Sequence, residues 1–323
     1  MPFVEVDIYC DESKDNKDEI GNKWNYYGLL IVPKNKKEEL FTKLENGRCI
    51  PNSKWKLNGC DNHCGYHSKN NTEISYKSIS QNHEYIIASN WIELLLENGL
   101  KNSGMIYFNI LGINYGLIDQ YYWKHMDKKN DQMYAKFLCT AIKSIKYFFY
   151  NKKVIVNEII HDQSSLYGNE SIYYQNLLRD LKSDNQISFH CEDITYLESD
   201  HRKSGKFIES NFIQFIDLIL GLTVNYIHYN SKNNEKKVKL TKEISELVRR
   251  LINSPRNPNS RYNYHEKQTI QFFPKNKNFY DKYFDLEGEK RECVKHNLFY
   301  SKGRTCLFEQ QFVEECQSTF DDF

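Results

Sequence analysis

Three aspartates carry the chemistry this chain offers. Asp11 sits in Ile8-Tyr9-Cys10-Asp11-Glu12-Ser13, Asp162 in His161-Asp162-Gln163-Ser164-Ser165, and Asp217 in Gln214-Phe215-Ile216-Asp217-Leu218-Ile219-Leu220-Gly221. Carboxylates brought together from distant segments bind Mg²⁺ or Mn²⁺ through hard oxygens and suit in-line attack on a phosphodiester. Each also has a plainer reading on its own. Asp11 and Glu12 can solvate a turn, Asp162 or Ser164 can cap a following segment, and Asp217 can form a structural salt bridge. Asp217 is the most demanding of the three, because a carboxylate in a helix that is apolar almost all round needs a cation, either a basic side chain or a metal.

The elements that must position them are legible in outline. Residues 3–10 read as a strand that leaves the sheet at Asp11, followed by a polar turn and a second strand at 24–32, together a hairpin. A short helical pattern at 36–45 precedes a polar insertion, roughly 46–80. Helical spacing predicts helices over 82–98 and 131–149, with a strand at 105–111 between them. Residues 154–160 are apolar at nearly every position, which predicts a strand buried on both faces and parallel to its neighbours. A helix near 170–182, a strand at 187–196 and a helix over 207–228 follow. Gln214, Asp217 and Gly221 fall on one stripe of that last helix, where Gly221 permits a close approach. From residue 231 the chain turns Lys-rich, with a short helix at 241–252. The expected organisation is an α/β domain over 1–230 with a mixed five-stranded sheet, and a C-terminal extension or small subdomain over 231–323. This order of elements is shared with ribonuclease H-like folds, an analogy at fold level.

Composition narrows the classes. The net charge is +1, with 44 basic and 43 acidic residues, so only a local basic groove could attract nucleic acid. No uninterrupted apolar stretch reaches bilayer length, so no membrane partner is expected. The first apolar run reads as a strand rather than a signal peptide. Nine scattered cysteines suit a reducing cytoplasm better than a disulfide framework.

The insertion holds Cys60-Asp61-Asn62-His63-Cys64-Gly65-Tyr66-His67, with Cys49 nearby. Cys60, His63, Cys64 and His67 are candidate zinc ligands. Their crowding into one short loop argues against a tetrahedral site, which is usually built from two separated pairs. Lys54 and Lys77 are candidate substrate contacts. Basic and aromatic residues interleave at Lys54-Trp55-Lys56 and from Arg256 to Tyr264, where they could meet phosphates and bases or simply be solvated. His161, beside Asp162, could shuttle protons or merely pack.

Taken together, the opening strand ending Asp11-Glu12-Ser13, the strand ending at Asp162 with Ser164 after it, and the helix Gln214-x-x-Asp217-Leu218-x-x-Gly221 resemble the bacterial and phage domain-of-unknown-function family three-thousand-eight-hundred. The resemblance covers about residues 3–228. It implies a ribonuclease H-like fold and a metal-dependent nuclease, with Asp11, Asp162 and Asp217 as metal ligands, Glu12 beside them as a further candidate ligand, and Ser13 and Gln214 close by as candidate substrate contacts. Ribonuclease H-like enzymes usually add a Glu on the first long helix after the third strand, but residues 131–149 offer only Asp131, at their start. Glu73, in Thr72-Glu73-Ile74-Ser75-Tyr76, resembles a Glu-x-x-Tyr/Phe segment of the family and is the better candidate. Without a fourth acid, one metal rather than two is expected. The expected function is hydrolysis of DNA or RNA, in a phage-defence or mobile-element setting, with a second copy or an accessory protein left open as a partner. The alternative is a scaffold that keeps the fold and uses the carboxylates as salt bridges.

Overall fold

The computed structural model describes residues 2–17, 21–49, 72–101, 105–115, 118, 129–149, 152–163, 185–253 and 267–273. Within them the chain forms a mixed sheet of seven strands. β1 (Phe3–Lys17) is central. Its hairpin partner β2 (Lys23–Pro33) lies antiparallel on one side, followed by β3 (Tyr107–Asn114), antiparallel to β2, and β7 (Gln268–Phe273), parallel to β3. On the other side β4 (Lys153–Asp162) runs parallel to β1, with β5 (Ile187–Phe189) and β6 (Thr195–Leu197) both parallel to β4.

Seven strands replace the expected five for two local reasons. The apolar stretch expected to be one strand at 187–196 is broken by Glu192 and Asp193, the latter turning its carboxylate onto the Ile194 N–H. The halves pair with β4 at different heights, beside Val154–Val156 and beside Ile160–Asp162. The seventh strand comes from the C-terminal part of the chain.

Helices cover both faces. On one lie α1 (Lys37–Gly47), α2 (Asn82–Lys101), α5 (Phe207–His228) and α6 (Glu235–Asn253); on the other lies α3 (Lys129–Lys143), continued by a 3₁₀ turn at Ser144–Phe149. A short α4 (His201–Ser204) precedes α5 and is capped by the Asp200 carboxylate on the Arg202 N–H. The expected helix near 170–182 lies outside the described residues.

α5 organises its side of the molecule. It packs along β1 and β2 and is roofed by α6 and α2, which explains a sequence apolar almost all round. By length and composition it meets the requirement for crossing a bilayer, yet 78% of that window is buried in the fold. Counting only uninterrupted apolar residues misses it, because Asn211, Gln214 and Asp217 break the run. α6 places Leu240, Ile244, Leu247, Val248 and Leu251 on one stripe against α5 and α2. The chain past residue 230 therefore adds a helix and an edge strand to the same layers as residues 1–230.

Candidate functional site

Strand alternation decides which side chains can meet. On β1, Val6, Ile8 and Cys10 enter the core under α3, whereas Tyr9 enters the core under α5. Asp11 therefore faces α5 and Glu12 faces away. β4 runs alongside, but its alternation changes partway. Val154 and Val156 join the α3 side, then Ile159 does, and Ile160 joins the α5 side. The cause is a bulge: Val6 pairs with Val156 but Asp7 pairs with Glu158, so Asn157 is an extra residue. Its side-chain amide donates to Glu5 Oε2 at 3.0 Å. The bulge turns Asp162 toward α5, the face of Asp11, and His161 to the opposite face.

The third acid arrives from above. Gly28 on β2 lies directly opposite Asp11 in the pairing. A methyl group there would stand 3.2 Å from Ile216 Cγ1 and 3.3 Å from Leu220 Cβ. A bare backbone at this point lets α5 settle close to the sheet, and Asp217 follows Ile216 directly. The Asp217 carboxylate lies beside that of Asp11 and accepts the Tyr76 backbone N–H at 2.7 Å.

A strap formed by residues 72–81 holds the site from the outside. Thr72 O accepts from Arg48 at 3.1 Å, the Ile74 N–H donates to Gln214 Oε1 at 2.9 Å, and the Cβ and ring edge of Tyr76 pack against Gly221. The close approach that Gly221 permits is thus made by Tyr76: a methyl there would fall 2.2 Å from its Cγ. Gly221→Ala should lift the strap, cost about 1–3 kcal/mol of stability and weaken the N–H bond to Asp217. Denaturant unfolding measures the first, and any loss of site activity the second.

The strap also carries Glu73, whose Oε1 accepts from Ser199 Oγ at 2.7 Å, while the Ser199 N–H donates to Asp162 Oδ1 at 3.2 Å. Ser199 thus joins Glu73 to Asp162. The four carboxylates thus form two pairs, Asp11 beside Asp217 and Asp162 joined to Glu73, and the charge of Asp217 is felt at Asp162 and that of Asp162 at Asp11.

The electrostatics separate these acids from the rest. Buried Asp7 has the Lys37 ammonium at 2.8 Å, buried Asp200 is chelated by Arg202 at 2.9 Å, and buried Glu84 receives the Ser80 and Gln81 N–H groups at the start of α2. Asp11, 8% exposed, receives the Glu12 backbone N–H, has no ion-pair partner among the described residues, and lies beside Asp217 and Asp162. Burial, then these like charges, raises its carboxyl well above the usual range. Burial also raises Asp217, against the opposing pull of the Tyr76 N–H, Asp11, Ser75 and Lys77. Asp162 is pushed up to about 6 by burial and the Asp217 charge. Asp11 and Asp217 are close enough to titrate as a pair, and both bind a proton more readily than isolated carboxylates.

This sets a pH dependence. Folded Asp162 binds its proton more tightly than the unfolded chain does. Its contribution is therefore fully present below the unfolded value near 3.8 and is lost as pH rises through about 6. Asp162→Asn removes the burden above that window. Its stability advantage over the metal-free wild type should be largest above pH 7, up to about 3 kcal/mol, and vanish toward pH 4 in urea titrations.

The other candidates are placed as follows. Glu12, expected to ligate metal, is on the far face: its Oε2 lies 3.1 Å from His161 Nε2 and its Oε1 lies 2.9 Å from Lys14. Burial alone would raise Glu12, but His161 and Lys14 bring it down to about 2. Strand alternation explains the correction, since neighbours on a strand cannot share a face. His161, 1% exposed, is held by Glu12 and the Asp162 carbonyl and is a packed partner of that second cluster. Gln214, expected near substrate, is fully buried, with Oε1 taken by Arg48 and Ile74 and Nε2 donating to the Ser199 carbonyl at 2.7 Å. It fixes the site's frame. Ser13 Oγ accepts from Asn16 in the turn ending β1. Lys77 is exposed beside Tyr76. Lys54 and the cluster Cys60, His63, Cys64 and His67 lie outside the described residues; Cys49 is buried.

Sequence reasoning missed Arg48, Ser199 and Asn157. Gly28 carried a usable signal, a glycine inside an apolar strand. As they stand, no three Asp, Glu, His or Cys side chains among the described residues ring a common point closely enough to hold a metal ion. The donor set itself consists of hard oxygens with no ion-pair partner among the described residues, the chemistry Mg²⁺ or Mn²⁺ takes. Comparison with protein-family models, curated proteins and solved structures finds no match to the chain.

Proposed function

We propose that this chain is a divalent-metal-dependent nuclease, hydrolysing phosphodiester bonds on a ribonuclease H-like sheet. One observation carries the reading. Asp11, Asp162 and Asp217 are turned to one face, where burial raises all three, Asp217 and Asp162 raise Asp11 further and Asp217 raises Asp162, while the other buried acids have a cation or a helix start. The strand order supports the fold assignment: a central β1, an antiparallel β2 and β3 to one side, and parallel β4 and β5 to the other.

In this reading Asp11, Asp162 and Asp217 hold Mg²⁺ or Mn²⁺, with Glu73 at the rim. Bound there, the ion supplies an acidic water and charge for a departing oxygen. The protein's part is placement. Tyr76 N–H fixes one Asp217 oxygen, Ser199 fixes Asp162 and Glu73 together, and Gln214 ties both supports to α5. Glu73, half-buried with its second oxygen outside the Ser199 bond, can take a proton from an attacking water.

A second reading, a non-catalytic scaffold, is favoured by the closeness of Asp11 and Asp217, two acids that bind a proton more readily than free carboxylates and so can be satisfied without a metal. The deciding experiment is cleavage of single- and double-stranded DNA and RNA with Mn²⁺ or Mg²⁺. Cutting that requires metal and disappears in Asp11→Asn supports the nuclease. Folded protein that cuts nothing under any of these conditions supports the scaffold.

A further inference from the structure

The walls of the carboxylate cluster differ in charge. On the α4 side, Arg202 is chelated by Asp200 and Lys203 lies 2.9 Å from Glu198. On the strap side, Lys77, Lys232, Lys236, Lys237 and Lys239 have no carboxylate within ion-pair distance among the described residues. Lys237 Nζ donates to the Lys77 carbonyl at 3.2 Å and sits 4.5 Å from the centre of the Tyr76 ring; Lys236 Nζ donates to the Ser80 carbonyl. Tyr76 is the residue whose N–H holds Asp217. Lys77, Lys232 and Lys239 point to solvent. The positive charge therefore begins beside Asp217 and continues along the first turn of α6. Burial lowers Lys237 and the Asp217 charge opposes this, which puts the two within electrostatic reach.

We infer that this lysine ledge binds the phosphodiester backbone of the substrate strand on the strap side of the cluster. The inference rests on the nuclease reading and adds where the polyanion lies. The physical need is plain: four carboxylates repel a phosphate, and a strand crossing them requires fixed cations alongside. The α4 wall, with Arg202 and Lys203 already paired, supplies fewer of them.

The test is fluorescence anisotropy of labelled single- and double-stranded DNA and RNA against the full chain across a salt series, with metal-dependent cleavage run in parallel. In Lys77→Gln/Lys232→Gln/Lys239→Gln, all at exposed positions, affinity should fall tenfold or more at about 0.1 M salt. The slope of log K against log salt should shrink by about 2, three charges at roughly 0.7 each for a single strand. Thermal unfolding should not move. Lys203→Gln/Lys206→Gln on the other wall should bind within twofold of wild type. Wild-type binding and cleavage that survive the triple substitution unchanged would overturn the ledge and leave the nuclease standing. A wild type that binds no polynucleotide would overturn both.

Discussion

Asp11→Asn and Asp217→Asn are expected to do two opposite things at once. Metal-dependent cleavage should fall by on the order of 10³-fold or more, because each removes a charged oxygen from the reacting centre. Metal-free protein at neutral pH should become more stable, by about 0.5–2 kcal/mol, the range found when a strained functional site is relieved. The amide keeps the shape and still accepts the Tyr76 N–H, while the like-charge repulsion at Asp11 disappears. Thermal scans with and without Mn²⁺ supply the cross-check. Excess metal should raise the wild-type midpoint, by about 2.7 kcal/mol of stability at a hundred times Kd, and leave both variants nearly unmoved. Variants less stable than wild type and a wild type indifferent to metal would instead mark these acids as structural.

Arg48→Met should produce the largest loss of stability of any substitution considered for this chain, about 3–5 kcal/mol. Arg48 is 0% exposed, and burial draws its guanidinium down to about 9. It donates to Asn211 Oδ1 at 2.8 Å, Gln214 Oε1 at 2.5 Å and Thr72 O at 3.1 Å, with its plane 4.8 Å from the Trp91 ring centre. Met fills most of the volume but leaves three buried acceptors without this donor. Because the Gln214 amide also holds Ile74 and Ser199, the loss reaches the strap and Glu73. Cleavage should fall even though no carboxylate has changed. Urea unfolding gives the stability, and a restored midpoint in Arg48→Lys would show that charge alone suffices without the three-way geometry.

What was legible in the sequence follows from what leaves a local trace. α5 was read with its observed limits, 207–228, because its apolar residues need no partner to be recognised. The β1–β2 hairpin and the parallel burial of β4 were read from their patterns as well, but β1 stays paired with β2 as far as Lys17 instead of leaving the sheet at Asp11, because its polar residues past Asp11 carry no strand pattern. The broken strand at 187–197 and the joining of β7 to β3 depend on pairing between distant segments, which periodicity does not encode. At the site, Asp11, Asp162 and Asp217 stood out because charged residues interrupt apolar elements. Glu12 was assigned with them through sequence adjacency, which on a strand separates faces. Arg48 gave no signal, since an arginine in a polar stretch reads as solvated until Gln214, 166 residues later, folds against it.

The extra residue at Asn157 gives β4 a residue to spare. Val156 and Glu158 already sit beside consecutive positions of β1, Val6 and Asp7, so a one-residue gap at Asn157 would straighten the strand and leave Asp162 on the face of Asp11 and His161 on that of Glu12. β1 has no such spare between Val6 and Asp11. In variants of this chain, loss of one residue there would turn Asp11 to the opposite face, a change of chemistry with the aspartate itself intact.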